Sequence, residues 1–181
     1  PARVRRDAAQ RREDGLALPR VSPGGGSAIA YTEADNPPTP DDYAQAIVGA
    51  LQDGGQANGL IEPELTVEPG RSIAGPAGVA IYTVGSIKEI PGVRTYVAVD
   101  GGMGDNIRPA LYGSQYVALA ASHATRPATQ TVTIAGKYCE SGDVLVTDAS
   151  LARVEADDLI AIPASGAYAP SMASDYTVSY T

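Results

Sequence analysis

The sequence predicts two kinds of structure in succession, an α/β portion followed by an all-β portion. Up to Gly75, helix-type and strand-type segments alternate with glycine loops, which is typical of β/α repeats with parallel strands. After Gly75 the apolar residues come in six short runs separated by turn residues, which indicates an antiparallel sheet, barrel or sandwich. Because 44% of the 181 residues are hydrophobic, the chain can bury a sizeable core.

The α/β portion begins with an Arg- and Ala-rich segment, 2–13, whose apolar spacing predicts a helix. A strand over 16–22 then leads into the glycines 24–26. A second strand, 65–67, leads into the loop 68–71. The two strands therefore each end in a loop that contains glycine.

A second helix is predicted between these strands. Thr39 can cap it, Pro40 suits its first turn, and the two acids that follow complement the positive end of the helix dipole. Tyr43, Ile47 and Leu51 form its apolar stripe, and the glycine pair 54–55 is expected to end it.

Six strands and no helix between them are predicted for the all-β portion. The strands are 79–84, 95–99, 116–120, 131–134, 144–146 and 159–162. The small and polar segment 165–174 suits a short helix or a loop.

Composition excludes several classes of function. The net charge of −8 disfavours a nucleic-acid surface, and no apolar run approaches the roughly 18 residues of a membrane span. Cys139 is the single cysteine, so a disulfide framework is excluded. His123 is the single histidine, which leaves a zinc site without ligands, and we expect it at the surface. We therefore expect a cytoplasmic protein with no nucleic-acid, membrane or metal partner.

Two loops could carry chemistry in the α/β portion. Gly24, Gly25 and Gly26 could cradle a phosphate with their backbone amides, or form an ordinary tight turn. Glu68 and Arg71, three residues apart beside Pro69 and Gly70, could belong to a site or form a surface ion pair.

Two further segments could carry chemistry in the all-β portion. Arg108 follows a glycine-rich loop and could grip a carboxylate, or be a solvated arginine on a hairpin connection. Cys139 lies in Lys-Tyr-Cys-Glu-Ser-Gly-Asp and could transfer protons, or be a small buried apolar residue.

Five motifs in order resemble the diaminopimelate decarboxylases. They are the glycines 24–26, Glu-Pro-Gly-Arg at 68–71, Arg-Pro-Ala-Leu-Tyr at 108–112, Cys-Glu-Ser-Gly-Asp at 139–143 and Gly-Ala-Tyr at 166–168. This group of pyridoxal-phosphate enzymes, the Orn/DAP/Arg decarboxylase family, has a (β/α)8 TIM-type barrel and a C-terminal β domain like that of alanine racemase. The resemblance implies the last β/α units of that barrel at 1–76, the β domain at 77–164, and a segment at 165–181 that returns to the active site.

The resemblance also implies a cofactor site for pyridoxal 5'-phosphate. Gly25, Gly26, Gly70 and Arg71 would hold the phosphate, and Tyr168 would contact both cofactor and substrate. Glu68 would face the pyridine nitrogen, where a carboxylate keeps the ring protonated and able to withdraw electrons.

A substrate site follows from the same resemblance. Arg71, Arg108 and Tyr112 would bind substrate carboxylates, and Glu140 would bind the distal ammonium of meso-diaminopimelate. Cys139 would protonate Cα after carbon dioxide leaves, which yields L-lysine. Because the Cys-Glu loop reaches the neighbouring subunit's site in this family, a homodimer with shared sites is implied.

One departure from the family pattern concerns the start of the chain. The Schiff-base lysine and the histidine that stacks on the cofactor lie upstream of the triple glycine in the family, and neither is present here. With Pro1 in place of an initiator Met, we expect a C-terminal fragment that is inactive in isolation.

Three other functions stay open. One is an ornithine- or arginine-type decarboxylase, although such enzymes resemble one another in having Asp after the cysteine, where this chain has Glu140. The others are a non-catalytic regulatory partner that dimerises with a decarboxylase, and an amino-acid racemase of the same fold.

Overall fold

A computed structural model of the chain describes residues 19–58 and 63–175, together with Gln10 and Asp14. Apart from Gln10, the helix predicted over 2–13 lies outside the described part. The chain divides into two compact units, which are described separately. The first takes its described residues from Pro1–Ala28 and Asn36–Gly70, and the second from Ile29–Asp35 and Arg71–Thr181. The domain boundaries given above stay a prediction.

The first unit contains two short strands and one long helix. Strand β1 (Arg20–Val21) pairs in parallel with β2 (Glu64–Leu65), so the two strands predicted from the sequence do run side by side. The side chains of Arg20 and Glu64 form an exposed salt bridge of 2.9 Å across this pair. The assignment of the strands to a TIM-type barrel stays a prediction.

Helix α1 (Pro40–Asn58) begins where the sequence predicts and ends later. The hydroxyl of Thr39 accepts a hydrogen bond from the backbone N–H of Asp42 at 3.1 Å, and the Asp42 carboxylate accepts the N–H of Thr39 at 3.0 Å. This reciprocal capping satisfies two N–H groups at the start of the helix. The predicted end at 54–55 is wrong: Gly54 is buried, and the helix continues through it to Asn58. Glycine lowers helix propensity without preventing a helix.

The second unit is built on a six-stranded mixed sheet. Its strands are β3 (Ala80–Ile90), β4 (Arg94–Val99), β5 (Leu119–Ala120), β6 (Gln130–Ala135), β7 (Val144–Leu151) and β8 (Leu159–Ile162), in the order β5-β8-β3-β4-β6-β7. Every run predicted as a strand overlaps one, although β3 continues six residues beyond the run 79–84. The prediction of an antiparallel sheet is wrong at one pair, because β4 and β6 run parallel. Their connection includes helix and turn segments, which can reverse the chain direction.

Strand β3 joins the two halves of this sheet. Its first part, from Ala80 to Thr83, pairs with β8, and its later part, from Val84 to Ile90, pairs with β4. Within the pairing with β4, the register shifts between Val84 and Ser86, as at a β-bulge where a strand bends.

Three short helices in the second unit refine the sequence prediction. Helix α2 (Gly70–Ala77) crosses the boundary between the units and begins inside the segment 68–71 that was predicted as a loop. Helix α3 (Arg108–Tyr112) lies between strands where no helix was expected. Helix α4 (Ala169–Met172) lies in the segment 165–174, for which the sequence left a short helix or a loop open. At five and four residues, α3 and α4 are too short for helical periodicity to reveal them.

The core of the second unit lies on the sheet. Val97, Ile134, Ile160 and Ile162 are fully buried there, and Leu145 on β7 packs in the same cluster. Burial of such side chains stabilises a fold by roughly 1.5–3 kcal/mol each. The buried core therefore stabilises the sheet, and the sheet fixes the ends of the loops that connect its strands.

Candidate functional site

In the first unit, the glycine loop packs closely against the segment that follows β2. A Cβ on Gly25 would overlap the carbonyl oxygen of Glu68, so no larger residue fits at this position. Gly24 and Gly26 on either side have φ of 84° and 89°, a region that favours glycine. The backbone N–H of Glu68 donates to the carbonyl of Gly24 at 3.2 Å. The tertiary contact therefore explains the need for glycine at 25.

Ser22 connects this loop to the predicted Glu68. The Ser22 hydroxyl donates to Oε1 of Glu68 at 2.8 Å and accepts the N–H of Gly24 at 3.1 Å. Sequence reasoning missed Ser22, although its place at the end of a predicted strand and just before the glycines was an available signal. The first unit thus places a glycine loop and a held carboxylate together.

In the second unit, the side chain of Arg108 is surrounded by tyrosines. Its Nη1 donates to the hydroxyl of Tyr116 at 2.7 Å. The guanidinium carbon lies 4.9 Å from the ring centre of Tyr31 and 5.5 Å from that of Tyr168. Arg108 is only 8% exposed, so the alternative of a solvated arginine is wrong. Cation–π contacts with Tyr31 and Tyr168 and the hydrogen bond to Tyr116 hold the charge in place.

The surroundings of Arg108 also contain polar atoms without partners among the described residues. These are the hydroxyl of Tyr31 and both amide atoms of Asn106, which is 2% exposed. Buried polar groups of this kind are normally hydrogen-bonded to protein, water or a ligand. Sequence reasoning missed Tyr31, Tyr116 and Asn106, because tyrosines and an asparagine at these positions carry no local motif.

Tyr168 and Tyr112 are both accessible. Tyr168 is 45% exposed and adopts a φ of 71°, which is a strained conformation for a residue other than glycine. Tyr112, at the end of α3, is 64% exposed. The fold therefore brings the predicted Tyr168 to Arg108 and leaves Tyr112 at the surface.

Cys139 and Glu140 lie on the connection between β6 and β7, the Cys139 loop (residues 136–143). Both side chains are exposed, so the alternative of a buried apolar cysteine is wrong. Oε1 of Glu140 accepts the backbone N–H of Gly142 at 3.2 Å. An exposed thiol beside a carboxylate is placed where it can meet a ligand or another chain.

Asp143 ends the Cys139 loop and is buried. Its Oδ1 accepts the N–H of Met103 at 2.6 Å, and its Oδ2 accepts the N–H of Tyr138 at 2.8 Å. Burial raises the pKa of this carboxyl, although the two N–H donors oppose that effect. Met103 belongs to a second loop, the 100–106 loop, so Asp143 joins two loops.

His123, expected at the surface, is half-buried. Its ring Nε2 lies 3.0 Å from Oδ2 of Asp158, and the two side chains are only 20% and 17% exposed. The backbone N–H of Glu155, followed by the histidine, holds the pKa of Asp158 below its usual value. His123, at the end of a short 3-10 helix (Ala121–His123), therefore pairs with the residue that directly precedes β8.

Neither a membrane span nor a metal cluster is found in the described part of the chain. No helix within 19–58 or 63–175 has the length and hydrophobicity needed to cross a bilayer. The same residues include no group of three or more His, Cys, Asp or Glu side chains placed to bind a metal ion.

Comparison with protein families identifies the chain. Residues 26–166 match the family model described as pyridoxal-dependent decarboxylase, C-terminal sheet domain. The chain belongs to this family of decarboxylases. The matched region includes the sheet of the second unit, all of α3 and the Cys139 loop.

Individual relatives agree with this membership. A diaminopimelate decarboxylase of Bacillus subtilis is 52% identical over 153 residues, which are 84% of this chain and 35% of the relative. The crystal structure of a diaminopimelate decarboxylase from M. jannaschii in complex with L-lysine superposes with a TM-score of 0.85 at 35% identity, covering 94% of this chain and 38% of that one. A Helicobacter pylori diaminopimelate decarboxylase, also complexed with L-lysine, gives 0.82 at 33% identity, covering 97% and 41%. The chain thus spans about a third of the length of these relatives.

The glycine loop and Glu68 fit the pyridoxal cofactor of the family. Nothing lies within 4 Å of where a Cβ would stand on Gly24 or Gly26, so a phosphate would find open space beside the backbone there, and Ser22 holds the carboxylate that a pyridinium nitrogen would need.

Proposed function

We propose that this chain forms the C-terminal part of a pyridoxal 5'-phosphate-dependent diaminopimelate decarboxylase, which converts meso-2,6-diaminopimelate to L-lysine and carbon dioxide. The observation that carries the proposal is the buried, tyrosine-enclosed Arg108 in a chain whose relatives at 41–52% identity are named for this activity. The L-lysine bound to the M. jannaschii and H. pylori enzymes supports the same substrate class. A cytoplasmic location is part of the proposal.

The cofactor supplies an electron sink when it is bound. Gly25, Gly26, Gly70 and Arg71 would hold its phosphate, and Glu68 would hold a proton on its ring nitrogen. The hydrogen bond from Ser22 orients the Glu68 carboxylate for this purpose.

Substrate recognition is assigned to charged and phenolic groups. Arg108 and Arg71 would bind carboxylates, with Tyr112 and Tyr168 as hydroxyl partners. Glu140 would bind the distal ammonium, and its length distinguishes diaminopimelate from the substrates of ornithine-type enzymes. The Cys139 thiol would deliver a proton to Cα.

The exposure of Cys139 and Glu140 supports a shared active site. A loop that serves a neighbouring subunit must project from its own, as these side chains do. We therefore propose a homodimer in which each Cys139 loop completes the partner's site.

Activity of the full-length protein that contains this sequence tests the proposal. With pyridoxal 5'-phosphate and meso-diaminopimelate, it should release carbon dioxide and L-lysine in equal amounts. L-Ornithine, L-arginine and the L,L isomer of diaminopimelate serve as control substrates. A preference for ornithine would overturn the assignment of diaminopimelate as the substrate. Absence of turnover with every substrate would favour the alternative of a non-catalytic regulatory partner.

A further inference from the structure

We propose that Asp143 is a positioning residue that sets the place of the Cys139 thiol. The inference rests on the proposed function, because it concerns the proton donor of that reaction. Asp143 itself touches neither substrate nor cofactor in this assignment. It acts through the backbone of the Cys139 loop.

The contacts of the Asp143 carboxylate are divided between two loops. One oxygen accepts the N–H of Tyr138, the residue before Cys139, and the other accepts the N–H of Met103 in the 100–106 loop. The backbone carbonyl of Gly101 accepts the N–H of Lys137 at 3.0 Å, which adds a second link between the same loops. The backbone just before Cys139 is therefore anchored to the loop that leads into Arg108.

The space around Asp143 is shaped for its carboxylate. A Cβ on Gly102 or on Gly136 would overlap the Asp143 oxygens, so both glycines leave room for that group. Asp143 is 3% exposed. Such close packing restricts the carboxylate to one position.

Aspartate is the side chain that suits this task. Bridging two N–H donors needs two acceptor oxygens, whereas asparagine has only one. Glutamate has two, but its extra methylene would not fit between Gly102 and Gly136. Burying a charged group costs free energy, and the two backbone donors offset that cost.

A double-mutant cycle in the full-length protein tests this role. Asp143→Asn keeps the shape and loses one acceptor, so we expect a tenfold or larger fall in kcat. In a Cys139→Ala background the same change should lower kcat by less than twofold, because the group that Asp143 positions is already gone. Asp157→Asn, which removes an exposed carboxylate, is the matched control and should leave kcat unchanged. Equal falls in both backgrounds would show a general structural effect and overturn the proposal.

Two additions keep the test decisive. If Asp143→Asn does not fold, Gly136→Ala displaces the carboxylate without removing its charge and should give the same pattern. Hydrogen exchange measures the loops independently of activity, and Asp143→Asn should accelerate exchange at Tyr138 and Met103 at least tenfold. If the parent protein does not decarboxylate diaminopimelate, the proposed function fails. The hydrogen-exchange rates at Tyr138 and Met103 then test by themselves whether Asp143 positions the Cys139 loop. Unchanged exchange would overturn it.

Discussion

The Nη1 of Arg108 donates to the hydroxyl of Tyr116 at 2.7 Å, and both side chains are buried. Tyr31 packs edge-on against Tyr116, with 5.2 Å between ring centres, and also lies over the guanidinium. The arginine proposed to bind a carboxylate is therefore held from two sides before any ligand arrives. Such preorganisation lowers the entropic cost of binding.

Tyr116→Phe should weaken the placement of Arg108. The change removes a hydrogen bond to a charged group, so we expect a loss of about 2 kcal/mol in unfolding free energy and a raised KM for the substrate. Tyr31→Phe is the matched control, because it removes a hydroxyl without a described partner and keeps the ring. It should cost less than about 0.5 kcal/mol. Equal losses in the two variants, measured by denaturant unfolding, would contradict this interpretation.

Gly25→Ala should damage the phosphate cradle. The added methyl group would overlap the Glu68 carbonyl, so the glycine loop must move, and we expect at least tenfold weaker binding of pyridoxal 5'-phosphate in a spectroscopic titration. Gly49→Ala lies within α1 with open space around it and should leave cofactor affinity unchanged. The control should stabilise α1 by about 1 kcal/mol, because alanine favours helix.

Glu68→Gln should slow decarboxylation while the cofactor still binds. Glutamine can accept the Ser22 hydrogen bond but carries no charge to hold a proton on the ring nitrogen, so kcat should fall on the order of 100-fold. Ser22→Ala removes only the orienting contact and should have a smaller effect. Steady-state kinetics with cofactor absorbance as the occupancy check would measure both. Unchanged turnover in Glu68→Gln would contradict the pyridine role.

Cys139→Ala should lower kcat by about 100-fold without loss of bound cofactor, because a positioned proton donor contributes on that scale. Cys139→Ser keeps nearly the same size but is a much weaker acid, so it should resemble the alanine variant. Recovery of activity in the serine variant would contradict the role of the thiol as proton donor. Loss of cofactor in the alanine variant would make it structural.

The His123–Asp158 pair predicts a pH dependence of stability. The pKa of Asp158 is lower in the folded chain than in the unfolded one, mainly because the N–H of Glu155 donates to it. The ionised Asp158 carboxylate therefore contributes its full stabilisation of the fold above the unfolded pKa of about 4. That stabilisation is lost as the pH falls through the lower folded pKa. Asp158→Asn should lower Tm at pH 7, and the gap to the parent should close on acidification. Asp157→Asn, at an exposed neighbouring carboxylate, should produce no such gap.

Local patterns in the sequence predicted the secondary structure well where neighbouring residues carry a clear signal, such as an apolar run or a helix cap. All six apolar runs overlap strands, and Thr39 and Asp42 mark the start of α1 as expected. The predictions were wrong where a local preference is too weak to decide the structure. α1 passes through Gly54, and β4 pairs in parallel with β6 although the runs suggested antiparallel neighbours.

The candidate site was predictable only in its motif residues. The order of glycines, arginines, Cys139 and Tyr168 points to the decarboxylase family, and the family match confirms that membership. The residues that contact and orient the motif side chains, such as Ser22, Tyr116 and Tyr31, were not predictable. Each acts through a partner distant in sequence, and no local spacing records such a contact.

The sequence by itself determined the positions of the strands, the capped start of α1 and the family, because these depend on residues close together in the chain. The tertiary structure decided that Arg108 is buried among tyrosines, that Cys139 is exposed, and that Asp143 joins two loops. Burial and hydrogen-bond partners depend on which distant segments the sheet brings together. That information exists only once the chain has folded.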